Sequence, residues 1–197
     1  MGNNRQLDSQ QALDRLLVGN RRYTSMRQLH PRQTIVQRQN LIEGQYPFAA
    51  ILSCSDSRVP SELIFDQGLG DLFIVRTAGH AINEVVIASL EYAVFVLRVP
   101  LIMVLGHGQC GAVTAVMTAQ DLPGHLPQLT ASLRPAMAGV NPAVEGAIDR
   151  AIRASSRFTA TYLATHSSVL KASLDENNLR IVAGYYNMSS GGVDILE

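Results

Sequence analysis

The sequence predicts an α/β fold: a mainly parallel β-sheet covered by helices, with an N-terminal helical arm. Three observations carry that expectation. Four short, nearly continuous apolar runs, at residues 48–52, 72–75, 100–105 and 179–184, have the character of strands buried on both faces. Longer segments with apolar residues at helical spacing separate them, and such alternation makes parallel strands joined by right-handed crossovers. The length of 197 residues, with 47% apolar and 16% charged residues, suits one globular domain, able to bury about 70% of the surface of its extended chain. Within that one domain, residues 1–45 read as the arm and 46–197 as the core.

The elements follow in order. Leu7, Ala12, Leu13, Leu16 and Leu17 recur at helical spacing and place a helix in the arm that ends near Arg22. A turn-rich stretch containing His30-Pro31 and residues 44–47 leads into the first strand, and the 72–75 run forms the second. Residues 82–97 are long and apolar enough for a buried crossover helix. The 100–105 run gives the third strand, and a helix over 111–118 begins directly after it. Residues 119–141 carry Pro123, Gly124, Pro127, Pro135 and Gly139 and form the most irregular stretch. Residues 142–166, with Pro142 in the first turn, form a long helix, and the 179–184 run supplies a further strand.

Composition excludes several function classes. Sixteen basic and sixteen acidic residues cancel, which argues against a nucleic-acid binder. No apolar run approaches the ~18 residues of a membrane span, so no membrane partner is expected. The start MGNNRQLDSQQ has no apolar stretch of the export-signal type, so a cytoplasmic location and a reducing environment are expected. Charge is unevenly placed: Arg5, Arg15, Arg21, Arg22, Arg27, Arg32 and Arg38 face only Asp8 and Asp14 in the first forty residues. Such an arm either grips an acidic partner or is the solvated face of a helix.

Ligands of α/β sheets bind beyond the carboxyl ends of the strands, and both cysteines sit there. Cys54 follows the first run in Cys54-Ser55-Asp56-Ser57-Arg58, and Cys110 follows the third in His107-Gly108-Gln109-Cys110-Gly111. Two thiols and one imidazole converge from two buried strands, a set that catalytic zinc accepts while keeping a fourth position open. Cys110 also begins a helix, where the dipole favours the thiolate. Three other chemistries use the same residues: a disulfide, a pair of inert buried thiols, or a Cys54 nucleophile in a triad-like set with His107 and Asp56. Asp56 lies within reach of a metal's open position, and Arg58 is placed to hold its carboxylate in a fork; elsewhere the two would be an ordinary surface pair.

Cys54-Ser55-Asp56-Ser57-Arg58-Val59-Pro60 with His107-Gly108-Gln109-Cys110-Gly111-Ala112 closely resembles the paired signature of the β-class carbonic anhydrases. Residues 16–23 resemble that family's N-terminal helix, 70–79 its second strand, and 184–193 its closing strand pair, so the likeness covers most of the chain. It implies zinc-dependent, reversible hydration of carbon dioxide to bicarbonate and a proton. One zinc ion per chain is implied on Cys54, His107 and Cys110, its hydroxide oriented by the Asp56–Arg58 dyad. Gly111 and Gln67 are implied to contact substrate, Gln67 across a dimer interface, which makes the chain a homodimer or a higher homo-oligomer. Residues 82–97 and the arm are the expected contact elements.

One departure and two rival functions complete the expectations. Some bacterial members carry an inhibitory bicarbonate site with a Trp three residues before the first cysteine ligand; here that position is Ile51, the chain has no Trp, and Arg76 lacks its aromatic partner. Asp56 has two destinations, Arg58 or the open zinc position, and the open state gains population at alkaline pH. His80 is either a proton relay or an ordinary hydrogen-bonded histidine, and His30, His125 and His166 have no partner motif. The rivals are a carbon disulfide or carbonyl sulfide hydrolase on the same metal set, and a non-catalytic assembly protein.

Overall fold

Asp8 starts the first helix. Its carboxylate accepts a hydrogen bond from the Gln11 N–H at 2.8 Å, while the Gln11 side chain accepts from the Asp8 N–H at 3.0 Å. Helix α1, Ser9–Thr24, then buries Ala12, Leu13 and Leu16 in a cluster with Phe48, Ile64 and Phe65. These coordinates are a computed structural model that describes residues 7–196; Arg5 of the arm lies outside the described residues. Gly19 lets α1 close onto the end of helix α3, Ser61–Ile64, because a Cβ there would sit 1.8 Å from the Phe65 carbonyl oxygen. Gly19→Ala is therefore expected to push α1 off the core and cost about 1–3 kcal/mol in urea unfolding; an unchanged midpoint would show that α1 docks without that contact.

Five strands form one sheet: β1 Ala49–Cys54, β2 Leu72–Thr77, β3 Leu101–His107, β4 Arg180–Tyr186 and β5 Val193–Leu196, in the order β2-β1-β3-β4-β5. The first four are parallel, and β5 runs antiparallel to β4. The chain leaves β1 toward β2 on one side and returns to β3 on the other. Strand order thus reverses beside β1, opening a crevice at the carboxyl ends of β1 and β3. Every residue of β1 and β3 is buried, as their apolar runs predict. β2 is a correction: as an edge strand it is only half-buried, with Arg76 exposed.

Helix α4, Glu84–Phe95, links β2 to β3 and buries Val86, Leu90, Ala93 and Val94, whereas Val85, Tyr92, Phe95 and Val96 are exposed. The expected buried crossover helix thus covers the sheet with one side and shows an apolar side outward. Helix α5, Gly111–Met117, follows β3 as expected. The irregular stretch contains helix α6, Leu126–Leu133, opened by Pro127 in its first turn. Helix α7, Ala147–His166, starts later than Pro142 because Gly146 turns left-handed at φ +73° in front of it. Helix α8, Ser168–Asp175, and helix α2, Ile35–Asn40, are too short to show a sustained apolar stripe, and each is started by a hydroxyl cap, Ser167 to the Leu170 N–H and Thr34 to the Gln37 N–H. Among the described residues no helix is long and apolar enough to cross a membrane.

The acidic partner of the arm lies largely inside the chain. Arg22 donates to Asp66 at 2.6 Å, and the Leu29 and His30 N–H groups donate to the same carboxylate, each at 3.0 Å. Arg15 donates to Asp71 at 2.9 Å, and Arg32 pairs with the same group. Both aspartates are buried, so these arginines tie the arm across the loop that carries Gln67.

Candidate metal centre

Cys54 ends β1, His107 ends β3, and Cys110 caps the start of α5. All three side chains are buried, and their ligand atoms lie within 4.8 Å of one another. The His107 Nδ1–H donates to the Gly108 carbonyl at 2.9 Å, which turns the lone pair of Nε2 toward the thiols. That Nε2 is buried without a hydrogen-bond partner. A buried ring nitrogen does not stay unpaired beside two thiols at no cost, and a cation held by all three satisfies it. The soft donor set fits zinc.

The competing chemistries fare differently. Both cysteines are free, so there is no disulfide between them. A nucleophilic triad needs Nε2 on the thiol and Nδ1 on the carboxylate. Here Nδ1 is engaged by a backbone carbonyl, and Asp56 Oδ2 lies 4.0 Å from Nε2, the nitrogen that also faces the sulfurs. Asp56 and both cysteines therefore surround one lone pair, which is ligand geometry.

As free thiols the two cysteines share a proton. The Cys110 thiol bonded to Cys54 holds Cys54 down at about 3, against burial, helped by the Gly79 and Asp56 N–H groups. The Cys54 bond and burial push Cys110 up, opposite to the expectation from its place at a helix start. Metal binding displaces that last proton.

Arg58 grips Asp56 in a fork, Nε at 2.9 Å and Nη2 at 2.7 Å, and its backbone N–H adds a third bond at 2.9 Å. The guanidinium holds the Asp56 carboxyl well below the usual carboxylate range. Arg76 braces the same loop from β2, donating to the Cys54 carbonyl at 2.9 Å and the Asp56 carbonyl at 2.7 Å. Ile51, three residues before Cys54, is fully buried in β1. Gly111 opens α5 on the exposed side, and a Cβ added there would meet nothing within 4 Å.

The structure brings Cys54, His107, Cys110 and Asp56–Arg58 together with Gly111 beside Cys110. It places Gln67 elsewhere: buried, donating to the Phe65 carbonyl at 2.7 Å, it lines a cavity of about 130 Å³ with Tyr23, His30, Glu62 and Asp66. His80 is fully buried and bonded to Ser155 at 3.0 Å, and burial pulls its pKa down to about 4, so it is a neutral structural imidazole. His30, His125 and His166 are exposed and apart from the centre; His166 stacks on Tyr162. Sequence reasoning missed the Gly79 N–H, which donates to Cys54 Sγ at 3.1 Å, and the bracing role of Arg76. A backbone donor has no residue-type signature, and the likeness of Arg76 to the arginine of a bicarbonate site says nothing of a brace on the Cys54–Asp56 loop.

Known proteins resemble this chain over most of its length. The family model described as carbonic anhydrase matches residues 49–193. A carbonic anhydrase of Mycolicibacterium smegmatis is 39% identical over 184 residues, covering 90% of this chain and 88% of that protein. Carbonic anhydrase 2 of Mycobacterium tuberculosis is 55% identical over 112 residues, covering 55% of this chain and 54% of its own. Among solved structures, the β-carbonic anhydrase CcaA superposes with a TM-score of 0.76 at 26% identity, over 94% of this chain and 95% of that one.

Proposed function

We infer the duties of individual residues from one premise: this chain belongs to the carbonic anhydrase family, in its β class. Its activity is the reversible hydration of carbon dioxide to bicarbonate and a proton. The observation that carries the assignment to this site is the unpaired, buried Nε2 of His107 between the Cys54 and Cys110 thiols. Cys54, His107 and Cys110 would hold one zinc ion, which supplies a nucleophile at neutral pH by lowering the pKa of water to about 7.

The chain's own residues do the rest. Asp56 stays ionised at any working pH because Arg58 holds it low, so it neither gives nor takes the reaction's proton. Its duty is to accept a hydrogen bond and so aim the attacking oxygen, while the Arg58 fork fixes the carboxylate plane. The Arg76 bonds keep the Cys54–Asp56 backbone from swinging as the carboxylate changes partners. Cys54 and Cys110 lie in an apolar cluster with Ala81, Val113 and Leu133, which limits water on that side and suits an uncharged, linear substrate. Gly111, with open space before it, leaves room for substrate beside Cys110. Metal stripping with a chelator, followed by zinc restoration and a stopped-flow indicator assay of hydration, tests the assignment; a metal-free sample with full activity would overturn it.

Gln67 acts on the partner's site rather than its own. Two features support this: the Arg22–Asp66 and Arg15–Asp71–Arg32 ties that fix its loop, and the exposed apolar side of α4, with Val85, Tyr92, Phe95 and Val96. The arm adds Leu29, Ile35 and Val36, all exposed. Related folds include two tetrameric β-carbonic anhydrases of Sordaria macrospora, matched at a TM-score of 0.73 and 23% identity. Sedimentation at assay concentration is expected to give a dimer or larger, and Tyr92→Asp with Phe95→Asp to shift it toward monomer with loss of activity. An active monomer would count decisively against the shared site.

A further inference from the structure

Cys54 Sγ receives two backbone N–H groups, that of Asp56 at 3.4 Å and that of Gly79 at 3.1 Å. The first belongs to the ligand loop itself. The second comes from the turn after β2, so its aim depends on how that turn is held. In the turn, Gly79 at φ +65° and His80 at φ +50° are consecutive left-handed residues. Gly79 adopts this freely, and it has no room for more: a Cβ would lie 2.8 Å from Leu133 Cδ1 and 2.9 Å from Ala112 Cβ. His80 carries a steric cost there, because its Cβ crowds its own backbone.

Two contacts hold the turn against that cost, and a glycine makes room for the second. The Thr77 hydroxyl donates to the Ala81 carbonyl at 2.7 Å and closes it. The His80 ring is fully buried, with Nε2 bonded to Ser155 Oγ of α7 at 3.0 Å. Gly106, the residue before ligand His107, lets α7 come this close: a Cβ there would meet Ser156 Oγ at 2.3 Å and His80 Cε1 at 3.5 Å. Simple packing does not account for His80. Its Nδ1 is buried without a partner, and an apolar side chain would fill the space without leaving a polar atom unpaired.

We propose that His80, tied to Ser155, is a positioning residue for Cys54: the tie locks the Gly79 N–H onto the sulfur and thereby sets how much charge that sulfur gives the metal. An N–H donated to a thiolate stabilises its negative charge and draws electron density from it, so the metal keeps more of its acidity. The inference rests on the assignment of Cys54, His107 and Cys110 as the metal centre.

The test uses the whole 197-residue chain with cobalt or zinc bound, and reads the sulfur rather than turnover. Ser155→Ala is expected to move the thiolate-to-cobalt charge-transfer band to longer wavelength and to speed zinc transfer to a chelator about tenfold. His80→Asn, which tolerates the left-handed backbone but is too short to reach Ser155, is expected to do the same. Ser155→Thr keeps the hydroxyl and should restore the parent band and release rate. Should Ser155→Ala fail to fold, His80→Asn alone decides. An unmoved band and release rate in the folded variants overturn the inference, whatever happens to their melting temperatures. A parent chain that binds neither metal overturns the metal-centre assignment as well, whereas normal metal binding with unmoved variants overturns only the inference.

Discussion

Cys54→Ser, His107→Ala and Cys110→Ser are each expected to abolish carbon dioxide hydration and to lose the zinc, about one per chain, that metal analysis should find in the parent protein. The three donors converge from two strands and one helix start, and their ligand atoms lie within 4.8 Å of one another. Removing one leaves two protein ligands, too few to retain zinc with an open position. Serine is a stringent replacement because it keeps the shape of cysteine. Its hydroxyl stays protonated where a thiol ionises, and Cys54 is held near 3 even without a metal. His107→Ala removes the nitrogen whose orientation the Gly108 carbonyl fixes. Metal analysis beside stopped-flow hydration checks all three. A zinc-free variant that still turns over carbon dioxide would dissolve the link between metal and activity.

The second large effect belongs to Asp56. Asp56→Asn should retain zinc and lower kcat/KM by about 100- to 1000-fold, the loss typical of one oriented polar group at a reacting centre. The amide is nearly isosteric, but it cannot accept two bonds from the Arg58 fork, and it presents a donor where an acceptor is needed. Arg58→Ala is expected to fall in the same range, since the carboxylate then loses both bonds of 2.9 and 2.7 Å that fix its plane. Part of that loss should return at alkaline pH: a freed Asp56 competes with water for the metal, and the competition shifts toward water as pH rises. If either variant keeps parent activity with zinc in place, Asp56 is not the group that aims the nucleophile.

Much of this was legible in residue order. Strands β1 and β3 announce themselves because a strand buried on both faces must be apolar at every position, and their last residues carry the donors. The edge strand β2 was less faithful to its pattern, since Phe73 and Val75 are only half-covered. Helices α2 and α8 escaped because their starts rest on single hydroxyl caps rather than on a long apolar stripe. The excess of arginine in the arm was visible, but its destination was not.

By itself, then, the sequence determined the α/β class and displayed the candidate donors and the Asp56–Arg58 pair, because each stands in a short local pattern: a run of apolar side chains, or a few neighbouring residues at the end of one strand. Only the tertiary structure decided that β1 lies between β2 and β3, bringing Cys54 beside His107 across fifty residues of chain. It also decided that Arg22 meets Asp66, that Arg15 and Arg32 meet Asp71, and that Ser155 reaches His80 behind the Gly79 N–H. Those contacts join residues far apart in the chain. Their partners are chosen by which surfaces pack, and no spacing along the sequence encodes that choice.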